Sequence, residues 1–502
     1  MRPYLSPTRT IGECARFIGG QEGHISESRV TVTGITSNSR ALESGDLFVA
    51  LPGAQRHGIE FLSDAVRAGC KGILTDDKGL ELMGDKLAHR SSQDFPVLRT
   101  SLPRAVLGPL TSWFYDNPSS SMKTFGVTGT NGKTTSTTLL HQLLQRSGVE
   151  TGLIGTISNQ IGNESIPAIH TTPEADDLQS LLATMKERHC GAVAMEVSSH
   201  GLQLHRVAGT TFTACAFTNL SQDHLDFHGT MENYYQAKRS LFTSQYTQRA
   251  YIMIDDDYGR RLRDEVSLPT ITLSLHDRKA HWHYESYNAT SRGYEIALRG
   301  EQGILLQGLI PLFGEYNLQN ALIAIALAFE AGVDALEIER QLPALLPATG
   351  RLERVDMGQE FLALIDYAHS PDAVSRALKA ARTLTTGKVI GVLGCGGDRD
   401  ASKRSLMGKE LLAGCDLAIF TSDNPRSEDP AKIIKEMTAG LSVDHPHQII
   451  IDRREAIEAA VEVAASGDLL IVLGKGHETG QEINGIKLPF SDRDVLAEAM
   501  RA

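Results

Sequence analysis

Short apolar runs alternate with stretches of helical spacing along most of this chain. In the first hundred residues, 46–51 (DLFVAL) and Gly72–Thr75 read as strands, with 58–68 a helix between them. Residues 99–121 set Pro103, Pro109, Asn117, Pro118 and several serines around a helical segment, which predicts a domain junction. Beyond it, 122–128, 193–197, 214–220 and 251–254 are strand candidates, and 134–147 has helical spacing. Residues 314–331 read as a helix approached through a Gly-Glu-Tyr-Asn turn. Two prolines and a Thr-Gly-Arg turn within 342–351 mark a second junction. After it come strands at 361–366, 389–393, 417–421 and Leu469–Leu473, each ending in a polar loop with Gly or Pro. The alternation predicts an α/β protein with a mainly parallel sheet covered by helices. Ligands in such sheets sit beyond the carboxyl ends of the strands.

The 502 residues suggest about three domains. With 41% hydrophobic and 22% charged residues, the chain has the balance of a soluble globular protein. A net charge of -12, from 49 basic and 61 acidic residues, argues against a nucleic-acid binder, whose affinity comes from neutralising phosphates. The six cysteines form no C-x-x-C pair and fit reduced thiols in a cytosol. No signal-peptide core and no apolar run of about 18 residues is found, so a cytoplasmic protein without membrane insertion is expected.

The most specific motif is Gly129-Thr-Asn-Gly-Lys-Thr-Thr135, between a strand and a helix. Its glycines let backbone N–H groups close around phosphate oxygens, and the helix N-terminus favours their charge. Lys133 would reach the β/γ-phosphates and Thr134 would ligate Mg²⁺. The usual first glycine is replaced by Val127. A second cluster, Gly394-Cys-Gly-Gly-Asp398, has Arg399 where a dinucleotide fingerprint needs glycine, so a charged loop fits better. Glu196 ends a strand, where a carboxylate suits Mg²⁺ near a nucleotide; the lesser alternative, read alone, is a helix cap or surface acid. Asp223, His224, Asp226 and His228 crowd one loop. Zinc spacing and a cysteine are lacking, which leaves an Mg²⁺ site shared with Glu196 as the other reading. Lys238, alone, is an ordinary helical lysine.

Together, GVTGTNGKTT, HTTPE, MEVSSHGLQLHRV, FTNLSQDHLDFHGTMENYYQAK, GEYNLQNALIAIA, ATGRLERV, DYAHSPDAV, GCGGDRD, SDNPR and GKGHE resemble the Mur ligase family, which builds the peptide of the bacterial cell-wall precursor. The similarity covers almost the whole chain. It implies three domains: 1–100 binding a UDP moiety, 101–349 a central P-loop ATPase domain, and 350–502 a Rossmann-like domain binding the incoming amino acid. It implies ATP and Mg²⁺, and a carboxylate activated as an acyl phosphate before an amine attacks it.

By that resemblance Ser37, Ser39, Ala54, Gln55 and Arg56 would hold the uridine nucleotide. Thr171, Thr172, Ser198 and Arg206 would hold the muramoyl-dipeptide. Gly129, Thr130, Asn131, Gly132, Lys133, Thr134 and Thr135 would bind the ATP phosphates, with Asn317 and Asn320 near adenine. Arg351, Asp366 and His369 would approach the nucleotide from the C-terminal domain. Catalysis would rest on Lys133, Glu196, His224 and Lys238, and Mg²⁺ on Thr134, Glu196, His224 and a carbamate carried by Lys238. The family often has Gln where Leu204 stands, with Gln203 one residue earlier, so that contact stays open.

Asp423-Asn424-Pro425-Arg426 resembles the signature of members that add meso-diaminopimelate; lysine-adding members differ at the arginine. Diaminopimelate carries a distal carboxylate that Arg426 can meet with a bidentate pair, while Pro425 stiffens the loop. Arg399, Gly474 and Glu478 would hold the amino-acid end. Lysine would leave Arg426 unpaired and be rejected. The alternatives are the same reaction with L-lysine, a folylpolyglutamate-synthetase-like ligase, or a nucleotide switch without amino-acid-dependent turnover. A monomer is expected.

Overall fold

The computed structural model describes residues 1–19, 27–53, 55–84, 95–290, 292–441 and 445–501. Near the N-terminus, strands β1 (Gly34–Thr36), β2 (Asp46–Val49), β3 (Gly72–Thr75) and β4 (Val97–Arg99) form a parallel sheet in that order. The expected helix at 58–68 is a short 3₁₀ turn, Gly58–Phe61, running into an α-helix, Leu62–Ala68. The helical segment between 99 and 121 is Pro103–Phe114, started by Pro103 in its first turn, where a missing N–H does no harm. Its Leu107, Leu110 and Phe114 pack with Val32, Leu47 and Leu74 on one side and Ala175 and Ala183 on the other.

The central sheet has eleven strands. In chain order they are β5 (Lys123–Thr128), β6 (Thr151–Ile154), β7 (Ser158–Ile161), β8 (Glu164–Pro167), β9 (Ala192–Glu196), β10 (Ala214–Phe217), β11 (Ala250–Met253), β12 (Thr270–Ser274), β13 (Trp282–Thr290), β14 (Gly293–Arg299) and β15 (Leu305–Ile310). The spatial order is β8-β7-β6-β9-β5-β10-β11-β12-β13-β14-β15. From β6 through β13 every pairing is parallel, and the two ends are antiparallel. The expectation of a mainly parallel α/β sheet therefore holds, with antiparallel margins that the apolar runs did not announce. One face is covered by helices Lys133–Arg146 and Glu315–Glu330; Leu318, Leu322, Ile325 and Leu327 of the second are buried there with Leu139 and Leu143 of the first. The opposite face carries Leu178, Leu182, Val193, Phe212, Phe217 and Tyr235.

The C-terminal sheet contains β16 (Glu353–Val355), β17 (Leu362–Asp366), β18 (Val389–Cys395), β19 (Leu417–Ser422), β20 (His447–Ile449) and β21 (Leu469–Leu473), in the order β16-β17-β21-β18-β19-β20. All neighbours beyond β16 are parallel. A hairpin, β22 (Gly480–Ile483) with β23 (Ile486–Pro489), follows. Buried side chains line both faces of the six-stranded sheet, Leu364, Leu393 and Phe420 on one and Ile365, Val392 and Ile419 on the other. All six cysteines are buried free thiols. Among the described residues no helix is long and apolar enough to cross a membrane.

Candidate active site

Strand β5 has β9 on one side and β10 on the other, so the chain leaves the sheet in opposite directions around it. A crevice at the carboxyl ends of such strands is the natural ligand site of an open α/β sheet. The phosphate loop fills this position. Val127 occupies the usual first-glycine place because β5 continues to Thr128, and its side chain is buried in the sheet. Two loop glycines are indispensable. Gly129 has φ +148°, and a Cβ there would lie 1.8 Å from Thr218 Oγ1; at Gly132 (φ +91°) it would lie 2.2 Å from Asn320 Oδ1. The loop is braced by Thr130 N–H donating to Asn219 O (2.8 Å), Thr218 Oγ1 donating to Asn131 O (2.6 Å), and a Thr130–Tyr234 hydroxyl contact of 3.1 Å. Lys133 Nζ donates to Gly129 O and Thr130 O, both at 2.9 Å. Burial lowers its pKa, with Glu196 opposing that shift.

Glu196 ends β9 directly beside Val127 and is 1% exposed. It accepts from Thr134 Oγ1 (2.9 Å), Thr156 N–H (2.7 Å) and Thr156 Oγ1 (3.1 Å). A helix cap or surface acid would not be buried facing the loop threonine. Thr134 and Glu196 thus supply a hydroxyl and a carboxylate oxygen side by side, hard donors of the kind Mg²⁺ takes alongside phosphate oxygens. Among the described residues no three His, Cys, Asp or Glu side chains gather into a metal cage.

Thr156 also touches Thr171, hydroxyl to hydroxyl at 3.0 Å. Thr172 Oγ1 donates to Glu196 O (3.0 Å) and accepts from Ser198 N–H (3.0 Å). Arg206 donates to Thr172 O (3.1 Å) and pairs with Glu174 at 2.8 Å. Thr171, Thr172, Ser198 and Arg206 therefore form one bonded cluster next to the phosphate loop. Gln203 is exposed at the end of helix Ser199–Gln203, and Leu204 is half-buried behind it.

Lys238 lies on helix Met231–Arg239, 1% exposed, with Nζ donating to Gly129 O at 2.8 Å and 4.6 Å from the Tyr234 ring. Burial, reinforced by Lys133, drives its pKa far below the usual lysine value. His224 has φ +53° and packs edge-on against His200, centroids 4.8 Å apart. Burial holds it neutral, although Asp223 lies 3.6 Å from its Nε2. Asp223 stays ionised: burial opposes this, but Lys403 at 3.9 Å and the His224 N–H, which donates to it at 2.9 Å, favour the carboxylate.

In the N-terminal part, Ser37 donates its N–H (2.5 Å) and hydroxyl (3.1 Å) to Asp176, at the start of helix Ala175–Glu187. Ser39 is half-buried in the same loop, while Gln55 and Arg56 are exposed; Ala54 lies outside the described residues.

The C-terminal sheet brings the end of β17 to the phosphate loop. Asp366 and Arg351 line one small cavity with Asn131, Gly132, Thr134, Thr135 and Asn320. Asp366 accepts from Leu352 and Ala368 N–H groups (2.7 and 2.8 Å), and Arg351 lies over the Tyr367 ring at 4.6 Å. His369 Nδ1 contacts Tyr367 O at 2.9 Å. Asn317 and Asn320 are buried and bonded to each other at 2.9 Å. Beyond them opens a cavity of about 480 Å³ between Tyr287, Tyr294, Tyr316 and Gln319 on one wall and Arg376, Lys379 and Thr383 on the other. Tyr316 and Gln319 lie inside GEYNLQNALIAIA, where nothing in the string singled them out from Asn317 and Asn320, and Arg376 lies outside every motif. Asp372 also escaped notice; it accepts from Asn131 (3.1 Å) and Ser221 (3.3 Å), joining helix Pro371–Thr383 to the phosphate loop.

Asp423, Asn424, Pro425 and Arg426 follow β19, and Gly474 and Glu478 follow β21. Asn424 donates to Glu478 at 2.8 Å. Arg426 takes φ +52°, and its Nη1 donates to Gly397 O at 2.7 Å with Nε 3.3 Å from Glu482. Arg399 is exposed, and its Cγ lies, like Arg426 Nη1, around the position a Gly396 Cβ would take. Gly474 has φ +113° against Asp423.

Comparison with known proteins follows the same outline. The Mur ligase middle domain matches residues 127–328, and the Mur ligase glutamate ligase domain matches 350–476. The chain is 44% identical to a UDP-N-acetylmuramoyl-L-alanyl-D-glutamate--2,6-diaminopimelate ligase of Streptomyces coelicolor, covering 94% of this chain and 92% of that one. It is 40% identical to the like-named protein of Synechocystis sp., covering 93% and 92%. A solved structure of a protein so named aligns with TM-score 0.68 at 30% identity over 99% of both chains. Mycobacterium tuberculosis folylpolyglutamate synthase shares the fold, with TM-score 0.62 at 18% identity over 80% of this chain and 94% of that one.

Proposed function

The chain belongs to the Mur ligase family of ATP-dependent amide-bond-forming ligases, and from that premise we propose that it joins meso-diaminopimelate to the D-glutamate of UDP-N-acetylmuramoyl-L-alanyl-D-glutamate in peptidoglycan precursor synthesis. The observation that carries the reading is the shared cavity. Asp366 and Arg351, from the part of the chain bearing the Asp423–Arg426 loop, meet the phosphate loop in one space, as coupling an activated carboxylate to an amine requires.

In this reading 1–100 binds the UDP moiety, 101–349 the nucleotide, and 350–502 the amino acid. The phosphate loop, residues 129–135, orients ATP in line with the D-glutamyl carboxylate held near Thr171, Thr172, Ser198 and Arg206. A carboxylate oxygen attacks the γ-phosphorus, the bond to ADP breaks, and Lys133 offsets the charge on the transferring group. The diaminopimelate amine then attacks the acyl carbon, phosphate leaves, and the nitrogen loses a proton. Much of the rate comes from holding three ligands together. Mg²⁺, held by Thr134 and Glu196 with His224 and carbamylated Lys238 at the same mouth, would supply phosphate charge neutralisation. Asn317 and Asn320 support an adenine site opening into the larger cavity, and Arg351, Asp366 and His369 the nucleotide's approach from the C-terminal side. Ser39, Gln55, Arg56 and Ser37 serve the uridine end. Arg426 takes the distal carboxylate, and Arg399, Gly474, Asn424 and Glu478 the amino-acid end. A cytoplasmic monomer fits these roles.

The test is phosphate release from ATP, Mg²⁺ and the UDP-dipeptide with each amino acid. Turnover with diaminopimelate and not with lysine is expected; the reverse overturns the assignment. Arg426→Ala is expected to raise the diaminopimelate KM about 100-fold, as loss of a charge-assisted bidentate pair does, and to narrow the preference over lysine.

A further inference from the structure

Lys475 stands in the loop after β21, beside residues assigned to the amino acid, yet it is 0% exposed. Its Nζ donates to Asn424 Oδ1 and Glu478 Oε2, both at 3.0 Å, and lies 3.6 Å from Asp423 Oδ1. An ammonium has three protons, and here it meets three oxygens drawn from two loops. Those loops follow β19 and β21, which are not neighbours, since β18 lies between them. Farther along, Arg426 bridges to β22 and Gln481 donates to Asp423 O at 2.6 Å, but at Glu478 itself the two loops are joined through side chains, those of Lys475 and Asn424.

The contacts also fix the orientation of Asn424. Its Oδ1 faces Lys475 Nζ and the Glu482 N–H (2.9 Å), both of which only donate, so Nδ2 must turn to Glu478 Oε2 at 2.8 Å. Glu478 Oε2 is thereby taken by two donors. Among the described residues Oε1 has no partner, and the side chain is 30% exposed. One carboxylate oxygen is anchored and the other is left without a protein donor among the described residues, available to an amino-acid ammonium. Lys475 and Asn424 together hold the Glu478 carboxyl below its usual range, against burial.

We propose that Lys475 is the positioning residue of the amino-acid pocket, its buried ammonium clasping the Asn424 and Glu478 loops so that Glu478 presents one fixed oxygen to the incoming amine or ammonium; this rests on the function proposed above. Lys475 does not touch the ligand. It acts through Glu478.

The experiment compares steady-state constants of the full-length enzyme, Lys475→Met and Lys475→Gln. Lys475→Met is expected to raise the diaminopimelate KM about tenfold while the KM values for ATP and the UDP-dipeptide stay within about twofold. Lys475→Gln, which keeps a donor, should recover part of the loss. In a Glu478→Gln background, Lys475→Met should add less than about twofold, because residues acting as one unit are not additive. A parent-like diaminopimelate KM in Lys475→Met, a parallel rise in all three KM values, or full additivity with Glu478→Gln overturns the proposal. A parent enzyme that uses another amino acid overturns the substrate assignment alone, and the same comparison is then made with that amino acid.

Discussion

Lys238 is the residue whose surroundings depart furthest from what its sequence neighbourhood implies. On an amphipathic helix a lysine is expected in solvent, yet this one is 1% exposed and lies against the phosphate loop. Burial and the nearby Lys133 disfavour its ammonium form. A neutral amine is the species that adds to CO₂: in the proposed carbamate its lone pair would bond to carbon, a proton would be released, and the product would be an anion attracted to Lys133. Lys238→Met is expected to lower kcat about 100-fold, in line with loss of one preorganised charge at a phosphoryl-transfer site. Enzyme equilibrated with ¹³C-bicarbonate should give a carbamate carbon resonance absent from Lys238→Met. Its absence from the parent would remove the carbamate from the site. The position alone could not reveal this, because burial of a helical lysine depends on what packs over it. The phosphate loop is different: its glycines follow from local backbone geometry, and so they were legible.

At the scale of elements, the buried parallel strands could be read directly. β9, β10, β17 and β21 are covered on both faces, so AVAM, ACAF, LALI and LLIVL appear as unbroken apolar runs, while β5 shows Phe125 and Val127 between threonines and glycine. β13 and β14 are antiparallel and half exposed, and WHYESYNAT and GYEIALR alternate rather than run. A search for apolar runs passes over them, as it does over β7 and β8. The hairpin β22–β23 did carry a signal. Asn484-Gly485 is a two-residue turn with φ +50° and +78°, the pair such a turn demands. Its strand pairs with Arg426, which accepts from Asn484 N–H (2.7 Å) and donates its own N–H to Glu482 O (3.0 Å), holding Arg426 in its left-handed conformation. Behind these loops, Arg453 binds both oxygens of Asp492 at 2.7 Å and donates to Ser422 O and Leu473 O, the last residues of β19 and β21. Both side chains are fully buried. Arg453→Met should destabilise by about 3–5 kcal/mol in urea unfolding, because Asp492 is left charged and unpaired. Arg453→Met with Asp492→Leu should be less damaging than either change alone; a double variant worse than both would contradict this account.

Across the whole molecule, the relevant fact is that sites are shared rather than contained. The cavity of about 480 Å³ takes one wall from the central strands and the other from helix Pro371–Thr383. Among the described residues the polar contacts between the two sides include Asp372 with Asn131 and Ser221 and Lys403 with Asp223 at 3.9 Å, all partly exposed. A molecule lodged between such walls behaves as a joint during heating. Without nucleotide, the central and C-terminal parts should melt in separate calorimetric steps, since little links their unfolding. With ADP at about 100 times its Kd, the folded state gains about 2.7 kcal/mol. Both steps should rise and draw together into one, because neither part can open without releasing the ligand. If ADP moved only the central step, the helix Pro371–Thr383 wall would have no share in holding it.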